Sequence, residues 1–344
     1  MSRSLRLRAG DLVEIRSKQE ILATLDEHAA LEGLPFMPEM LPFCGKRVRV
    51  AAVAHKTCET AHRTWQARRL HRTVHLEGLR CDGSAHGGCQ ADCNFFWKEA
   101  WLKPVDERDG RSRDAGPHPA LAPAACDETR LQASTEVGET PDGKRYSCQA
   151  TRLFESSEPL LWWDPRQYLR DVLSGNHSLG HVARVLWLAF LQECFRRTPF
   201  GYRIVKSLRE WMHRRLTGHD VTDIDGTIPV GQPTPTGRLG LKVGELVRIK
   251  SRSEIVKTLN TRRTNRGLSF DAEMGAYCGH VARVRRAVTQ IIDEESGTMR
   301  HMDNPCITLE GVYCRGEYSS CRLLCPRAIP PYWREIWLER VAER

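Results

Sequence analysis

The chain carries twice a cysteine and tryptophan element, which first reads Leu76-Glu77-Gly78, Cys81, Cys89, Cys93 and Trp97-Lys98-Glu99-Ala100-Trp101-Leu102. The second copy reads Leu309-Glu310-Gly311, Cys314, Cys321, Cys325 and Trp333-Arg334-Glu335-Ile336-Trp337-Leu338. Three thiols recur in the same order and at nearly the same spacing, each time followed by a Trp-x-x-x-Trp pair. This pattern predicts a metal centre that is built twice. The chain is therefore interpreted as a duplicated module.

The duplication extends upstream of the cysteines. Residues 5–45 align without a gap with residues 239–279, and 18 of the 41 pairs are identical. Each copy has a glycine turn followed by alternating apolar and charged residues, which is typical of a half-buried strand. Ser17 and Glu20 have the spacing of a helix capping box. A second strand is predicted at 47–53 and 281–288, and a return strand ends in each Leu-Glu-Gly sequence.

This order of short strands is similar to that of SH3-like or KOW-like barrels. We therefore predict an α+β, mainly β fold, in which two duplicated small barrels are joined by a helical connector. Changes in composition set the predicted boundaries along the chain. These are a first cysteine-rich repeat at 1–105, a linker at 106–145, a basic and aromatic connector at 146–217, a linker at 218–238 and a second repeat at 239–344.

Composition and charge restrict the class of protein. The formal net charge is +9 and the isoelectric point is about 9.0, which is compatible with a polyanionic partner but does not identify one. Residues 1–10 lack the apolar core of a signal peptide, and no apolar run is long enough to span a bilayer. We therefore expect a cytoplasmic protein. Thirteen cysteines in a reducing compartment favour metal ligation over disulfides.

The cysteines offer two alternative ligand sets. A structural zinc site takes four thiolates or imidazoles in tetrahedral geometry. In the second set, Cys58 takes the place of Cys89 in one repeat, and Cys306 takes the place of Cys321 in the other. The reason is that strand pairing would place Cys58 and Cys306 in equivalent positions of their repeats. His55 and His86 are additional, weaker candidates. The first set consists of Cys44, Cys81, Cys89 and Cys93 in one repeat, and of Cys278, Cys314, Cys321 and Cys325 in the other.

Two zinc ions are the expected cofactors, with iron or an iron-sulfur cluster as the alternative. The sequence contains no Cys-x-x-Cys, which excludes a thioredoxin-like redox motif and a covalent haem site. Reduced thiols buried in the core are the plainer interpretation. A catalytic metal is a further alternative for the first repeat, with Glu77 or Asp82 as a base. Five histidines surround the thiols of that repeat, and these are His55, His62, His71, His75 and His86.

The tryptophans of each Trp-x-x-x-Trp pair and the helical connector can each have a structural or a functional role. Two tryptophans four residues apart share one face of a helical turn, and we expect them to pack in the core, with ligand stacking as the alternative.

Trp162-Trp163-Asp164-Pro165 is predicted to begin one helix, and Ser178 to cap another that ends at Arg197. That second helix is apolar on every side. It suits burial, a protein partner, or an acidic membrane surface contacted through 178–215, which would make the protein membrane-peripheral.

Three further motifs extend the duplicated signature, and these read Met37-Pro38-Glu39-Met40, Ala85-His86-Gly87-Gly88-Cys89 and Cys325-Pro326-Arg327-Ala328-Ile329. With them, nearly the whole chain resembles an uncharacterised bacterial protein family that has two SH3-like, cysteine-rich repeats and no established activity. The resemblance implies no catalytic residues.

The sequence thus favours a zinc-binding, non-enzymatic binding or scaffolding protein with a protein partner. A metalloenzyme centred on the first repeat is the first alternative. Nucleic-acid binding through KOW-like barrels is the second, although acidic residues interleaved in the connector disfavour a dedicated nucleic-acid surface.

Overall fold

The computed structural model describes residues 7–61, 67–106, 126–141, 143–197, 211–218, 225–319 and 322–342. The described chain is a mixed fold with more strand than helix, arranged in several small sheets. It divides into two compact units. Unit 1 comprises Met1–Val182, Gln290–His301 and Cys325–Arg327, and unit 2 comprises Ala183–Thr289, Met302–Leu324 and Ala328–Arg344. The connector predicted at 146–217 therefore contributes residues to both units.

Unit 1 is built on a five-stranded antiparallel sheet with the order β8-β7-β4-β1-β9. Strand β1 follows the glycine turn, and its alternation buries Val13 and Ile15, as the sequence predicts. Val13 pairs with Val48 on one side and with Pro104 on the other. The strands of this sheet are β1 (Leu12–Ile15), β4 (Arg47–Val53), β7 (Thr73–Leu76), β8 (Trp97–Lys98) and β9 (Leu102–Pro104).

Smaller elements complete the first repeat. Helix α1 (Lys18–Leu22) begins with the predicted capping box, in which the Ser17 hydroxyl accepts from the Glu20 amide and the Glu20 side chain accepts from the Ser17 amide. A 3-10 helix (Pro38–Phe43) leads to Cys44. The remaining strands are β2 (Ala30–Leu31), β3 (Leu34–Pro35), β5 (Lys56–Cys58), β6 (Ala67–Arg69) and, further along the chain, β12 (Glu158–Leu160).

The tryptophans of the first repeat lie in the core, which confirms the packing prediction. Trp97 and Trp101 are fully buried, and the ring of Phe36 meets them edge-on at centroid distances of 6.1 and 5.2 Å. The indole N–H of Trp101 donates to the Thr24 hydroxyl at 3.1 Å. The aromatic cluster therefore fixes the 3-10 turn (Glu99–Trp101) and the start of β9 against α1.

The stretch predicted as a linker at 106–145 contains regular structure in its second half. Residues 107–125 lie outside the described chain, but a helix and a hairpin follow them. Asp127 caps helix α2, and its side chain accepts from the Arg130 amide. The elements are α2 (Glu128–Ala133), β10 (Glu136–Thr140) and β11 (Gly143–Tyr146).

Helix α3 (Pro165–Leu173) begins after Asp164, as predicted, but it turns its polar side inward. Asp171 is fully buried, and its carboxylate lies 2.6 Å from the ammonium of Lys56, which is also buried. Burial raises the pKa of Asp171 to about 6, although the Lys56 charge acts against that shift. Leu169 and Leu173 are more than half exposed on the opposite side. An internal ion pair therefore anchors α3 and leaves its apolar side outside.

Helix α4 (Leu179–Arg197) matches the predicted span, and the Ser178 hydroxyl accepts from the His181 amide at its start. The predicted burial is partial. Val182 and Val185 are buried, whereas Trp187 and Phe190 are half exposed and stack on each other with centroids 5.7 Å apart. Within the described chain, no helix combines the length and the apolar character needed to cross a membrane.

Unit 2 is built on a four-stranded sheet with the order β17-β16-β13-β18. Phe270 meets Trp333 and Trp337 edge-on at 6.1 and 5.3 Å, and the Trp337 indole donates to Thr258 at 2.9 Å. The elements are helix α5 (211–217), β13 (Leu246–Ile249), α6 (Arg252–Val256), β14 (Thr264–Asn265), β15 (Leu268–Ser269), α7 (Ala272–Gly275), β16 (Val281–Ile292), β17 (Met299–Leu309), a 3-10 helix (Glu335–Trp337) and β18 (Leu338–Arg340).

Candidate metal centre

The loop between β7 and β8 brings together several side chains of the first repeat that could bind a metal. The Gly83 carbonyl accepts from the backbone amides of both His86 (3.2 Å) and Gly88 (2.9 Å), which curls the loop tightly. Gly83 has a φ of +79°, and a Cβ placed there would lie 2.0 Å from the Cys89 carbonyl oxygen. The turn therefore requires glycine. It directs Cys81, His86 and Cys89 towards one another.

Glu39, Cys81 and His86 form a buried group that could hold a metal ion, since their ligand atoms all lie within 4.8 Å of one another. The Cys81 Sγ lies 3.6 Å from His86 Nε2, and Glu39 Oε1 lies 2.7 Å from His86 Nδ1. Glu39 Oε1 also accepts from the Ala85 amide at 3.0 Å. The second oxygen, Oε2, is buried and has no hydrogen-bond partner within the described chain. The imidazole thus lies between a carboxylate and a thiol.

For His86 and Cys89, burial and polar contacts shift the pKa in opposite directions. Burial disfavours protonation of His86, but hydrogen bonds to Cys89 and Glu39 outweigh it and raise its pKa to about 9. Burial also acts against ionisation of Cys89, yet the contact with His86 lowers the pKa of that thiol below its usual value. Burial raises the pKa of Cys81 strongly. Without a bound cation, Cys81 is therefore held as a neutral thiol.

Two more thiols, Cys93 and Cys148, complete a cavity of about 30 Å³ that is lined by all four cysteines and by His86. The Cys81 amide donates to the Cys93 carbonyl at 2.9 Å, which joins the two ends of the loop. Burial raises the pKa of Cys148 to about 11. Sequence reasoning missed Cys148, because it follows β11 and has no counterpart in the second copy.

The neighbouring Gln149 positions Cys148. Its side chain accepts from the Phe96 amide at 2.8 Å and donates to the Phe96 and Pro35 carbonyls at 2.8 and 2.9 Å. These bonds attach the segment after β11 to the start of β8. No sequence pattern signals this attachment, since it depends on a single amide side chain that is 6% exposed.

The tip of the β16–β17 hairpin, which belongs to unit 1, covers the same loop. The Ile292 amide donates to the Cys89 Sγ at 3.3 Å. The Gln290 side chain donates to the Gly87 and Gly88 carbonyls, each at 3.0 Å, and its backbone carbonyl accepts from the Gln90 amide at 3.1 Å. An N–H directed at a sulfur favours its thiolate form. The hairpin tip thus supports Cys89 as an anion.

Other cysteines predicted as ligands lie away from this cavity. Cys44 and Cys278 each follow a short helix and are half-buried. Burial raises the pKa of both thiols, and the positive charges that oppose this shift are Lys18 for Cys44 and Arg252 for Cys278. Neither thiol lines the cavity described above.

Cys58 and Cys325 meet in unit 1 at a different point. The Cys58 amide donates to the Cys325 Sγ at 3.2 Å, and Arg327 donates to the Cys58 carbonyl at 3.4 Å. Arg327 is 3% exposed and pairs with Glu294 at 2.6 Å. The charge of the Arg327 guanidinium therefore acts on Cys58.

The remaining cysteines of the second repeat do not assemble in the part that the structure describes. Cys306 lies 3.3 Å from the Arg334 guanidinium, and the Cys314 amide donates to the Ile329 carbonyl at 2.8 Å. Cys321 lies outside the described residues. Among the residues that are described, Glu39, Cys81 and His86 are the only group found that could hold a metal ion. The second zinc ion therefore stays a prediction.

The other histidines of the first repeat have structural partners. His55 is buried beside Lys56 and Asp171, and burial together with the Lys56 charge lowers its pKa to about 3. The His75 Nδ1 lies 2.8 Å from the Phe95 carbonyl, and burial lowers its pKa to about 4. His71 is exposed beside Glu158. His62 lies outside the described residues.

Comparison of the chain with protein-family models, with curated proteins and with solved structures gave no match. The resemblance to an uncharacterised bacterial family therefore stays a prediction.

Proposed function

We propose that this chain is a zinc-binding, non-enzymatic binding or scaffolding protein, in which Cys81, His86, Cys89 and Cys93 hold one ion in unit 1. The distance between Cys81 Sγ and His86 Nε2 carries the proposal. Zinc-ligand lengths of about 2.3 Å to sulfur and about 2.0–2.1 Å to nitrogen, at a tetrahedral angle, separate the two ligand atoms by about 3.6 Å. The observed 3.6 Å equals that edge of the tetrahedron.

Glu39 supports the same assignment from outside the ligand set. Histidines that bind zinc commonly donate their other ring N–H to a carboxylate, which fixes the tautomer and the ring orientation. Glu39 Oε1 is 2.7 Å from His86 Nδ1, so Nδ1–H would donate to the carboxylate and leave the Nε2 lone pair for the metal. Bound zinc would supply the positive charge that the buried thiolates need.

The surroundings favour a structural ion over a catalytic one. A cavity of about 30 Å³ matches the space of one small ion. Glu77 and Asp82, the acidic residues considered as bases, are exposed. Asp82 accepts from the Ser84 amide at 2.9 Å, which stabilises the loop. These features support a closed site.

The proposal includes two SH3-like barrels related by duplication. In support of it, the central strands have the same order in both sheets, β4-β1-β9 in unit 1 and β16-β13-β18 in unit 2. Capping boxes begin both α1 and α6. In each unit one phenylalanine contacts two buried tryptophans at nearly the same distances, which supports a common ancestor for the two cores.

A binding role is supported by the outer side of α3. Trp163, Leu169 and Leu173 are each more than 60% exposed. Arg166 and Arg170 are exposed on the same helix. An apolar surface bordered by arginines suits a protein partner with an apolar patch and an acidic rim. Leu169→Glu is expected to abolish capture of that partner while the zinc content stays unchanged.

Elemental analysis of protein purified without added metal tests the proposal. Zinc is expected in the wild type, and one equivalent should be lost in Cys81→Ser and in His86→Ala. Cys44→Ser is the matched control, because that half-buried thiol does not line the cavity. Cys93→Ser should also lose the ion, whereas Cys148→Ser should retain it. Iron with a visible absorption band in place of zinc would contradict the proposal.

A further inference from the structure

Unit 2 contains a groove of about 250 Å³, which lies between the segments 236–240, 265–266, 304–305 and 334–336. Three arginines line it, Arg238, Arg266 and Arg334, together with one acidic residue, Glu335. The groove therefore has a formal charge of three positive minus one negative, or +2. It plays no part in the metal centre of unit 1.

Arg334 is a buried cation without an acidic partner among the residues that the structure describes. It is 9% exposed, and its guanidinium donates to the Arg266 carbonyl at 2.9 Å, to the Asn304 carbonyl and to the Cys306 sulfur at 3.3 Å. None of these acceptors is a carboxylate. Its Nε–H is buried and has no acceptor among the described residues. A buried donor left unsatisfied is unfavourable, so an acceptor that enters the groove would be bound favourably.

The first repeat has a different buried cation at the position of Arg334, and that cation has an acidic partner. Lys98 holds the place of Arg334 in the Trp-x-x-x-Trp element, and its ammonium pairs with Glu32 at 2.8 Å and reaches the His71 carbonyl at 3.4 Å. Both contacts belong to unit 1. There the buried cation is neutralised by a carboxylate from the turn between β2 and β3.

The residue that aligns with Glu32 is Arg266, at the constant offset of 234 between the repeats. The backbone is the same at both positions. Glu32 and Arg266 have φ values of 51° and 46°, and each precedes a glycine with positive φ in a two-residue hairpin turn. In the second repeat, a second cation thus replaces the carboxylate that neutralised the first.

The other groups of the groove leave these charges available. Arg266 is exposed, and its Nε donates to the Thr234 carbonyl at 2.8 Å. The Glu335 carboxylate accepts from the backbone amides of Leu239, of Gly240 at 3.0 Å and of Leu241 at 3.4 Å. Its charge is therefore already stabilised by the backbone. No ion pair joins Arg238, Arg266 or Arg334 to an acidic group in the described chain.

From this exchange we infer that the groove of unit 2 binds an oxyanion of the phosphate type, as inorganic phosphate or as the phosphate group of a small phosphomonoester. Guanidinium groups bind phosphate oxygens through paired N–H donors, and three arginines lining one groove suit such a ligand better than chloride. The volume accommodates a phosphate group with a small substituent. The ligand would also supply the acceptor that the Arg334 Nε–H lacks.

Calorimetric titration of the full chain with inorganic phosphate, at fixed ionic strength maintained with chloride, tests the inference. Arg266→Glu is the decisive variant, because it introduces the carboxylate that pairs with the buried cation in the first repeat. It should weaken phosphate binding at least tenfold without lowering the melting temperature of the ligand-free protein. Arg334→Lys should weaken binding less, since it keeps the charge but loses the paired donors.

A small phosphomonoester that competes with phosphate would indicate a metabolite ligand. Equal heats from phosphate and chloride in the wild type would overturn the inference, and so would unchanged phosphate binding in Arg266→Glu. Binding of a single-stranded oligonucleotide that phosphate does not displace would contradict it as well, because the arginines would then be part of an extended nucleic-acid surface. None of these outcomes depends on the zinc content.

Discussion

Replacement of Glu39 by glutamine removes the negative charge beside His86 and keeps the size of the side chain. Glu39 is 8% exposed, and its Oε1 contacts His86 Nδ1 at 2.7 Å and the Ala85 amide at 3.0 Å. A glutamine oxygen can still accept from the Ala85 amide and lie beside His86 Nδ1, so the loop should keep its shape. Loss of such an outer carboxylate typically weakens metal binding about 10- to 100-fold. That loss corresponds to about 1.4–2.8 kcal/mol of binding free energy.

Competition between the protein and a chromogenic zinc chelator measures this difference. Glu273→Gln is the matched control, because Glu273 occupies the aligned position in the second repeat. Its carboxylate accepts from the backbone amides of Glu317 (3.1 Å) and Tyr318 (2.7 Å). We expect this control to bind zinc as the wild type does. Equal zinc affinities of Glu39→Gln and the wild type would refute the reasoning that Glu39 orients the imidazole.

Three further perturbations test the surrounding structure. Gly83→Ala should abolish zinc binding, since its Cβ would lie 2.0 Å from a backbone oxygen, whereas Gly78→Ala, with a similar φ of +71° and open space, should retain zinc; metal analysis of both variants checks this. Asp171→Asn leaves Lys56 buried without its counter-charge and should cost about 3–5 kcal/mol in chemical denaturation, and a cost below about 1 kcal/mol would contradict the ion pair. Burial raises the pKa of Glu273 from 4.5 to about 7, so its contribution to stability is complete below pH 4.5 and is lost as the pH rises to 7. The resulting decrease is up to about 3 kcal/mol, and Glu273→Gln should flatten it in denaturation curves recorded between pH 5 and 8.

Local signals in the sequence predicted several elements correctly. The Ser17–Glu20 spacing located α1, and the alternation of Arg47–Val53 located β4 residue by residue. Ser178 located the start of α4. These elements depend on nearby residues, namely a cap or an alternating face, and such information lies within a short window of sequence.

The candidate metal site could be predicted only in part, because its members come from distant segments. Cys81, Cys89, Cys93 and His86 lie on one loop and were all identified as candidates. Cys148 was missed, since a tertiary contact through Gln149 places it there.

The equivalence predicted for Cys58 and Cys306 depended on strand register, which the sequence left open. Ile307 pairs with Trp333 as Val74 pairs with Trp97, so Cys306 occupies the position of Thr73 instead. When the register of two paired strands shifts by one residue, different residues face each other, and every such equivalence changes.

Zinc content per chain, measured on the wild type and on the Cys81→Ser and His86→Ala variants purified side by side, tests the central claim most directly. The account predicts zinc in the wild type and the loss of one equivalent in each variant, while the Cys44→Ser control keeps the wild-type content. Wild-type protein without zinc, or variants with unchanged zinc, would contradict a metal centre at Cys81 and His86.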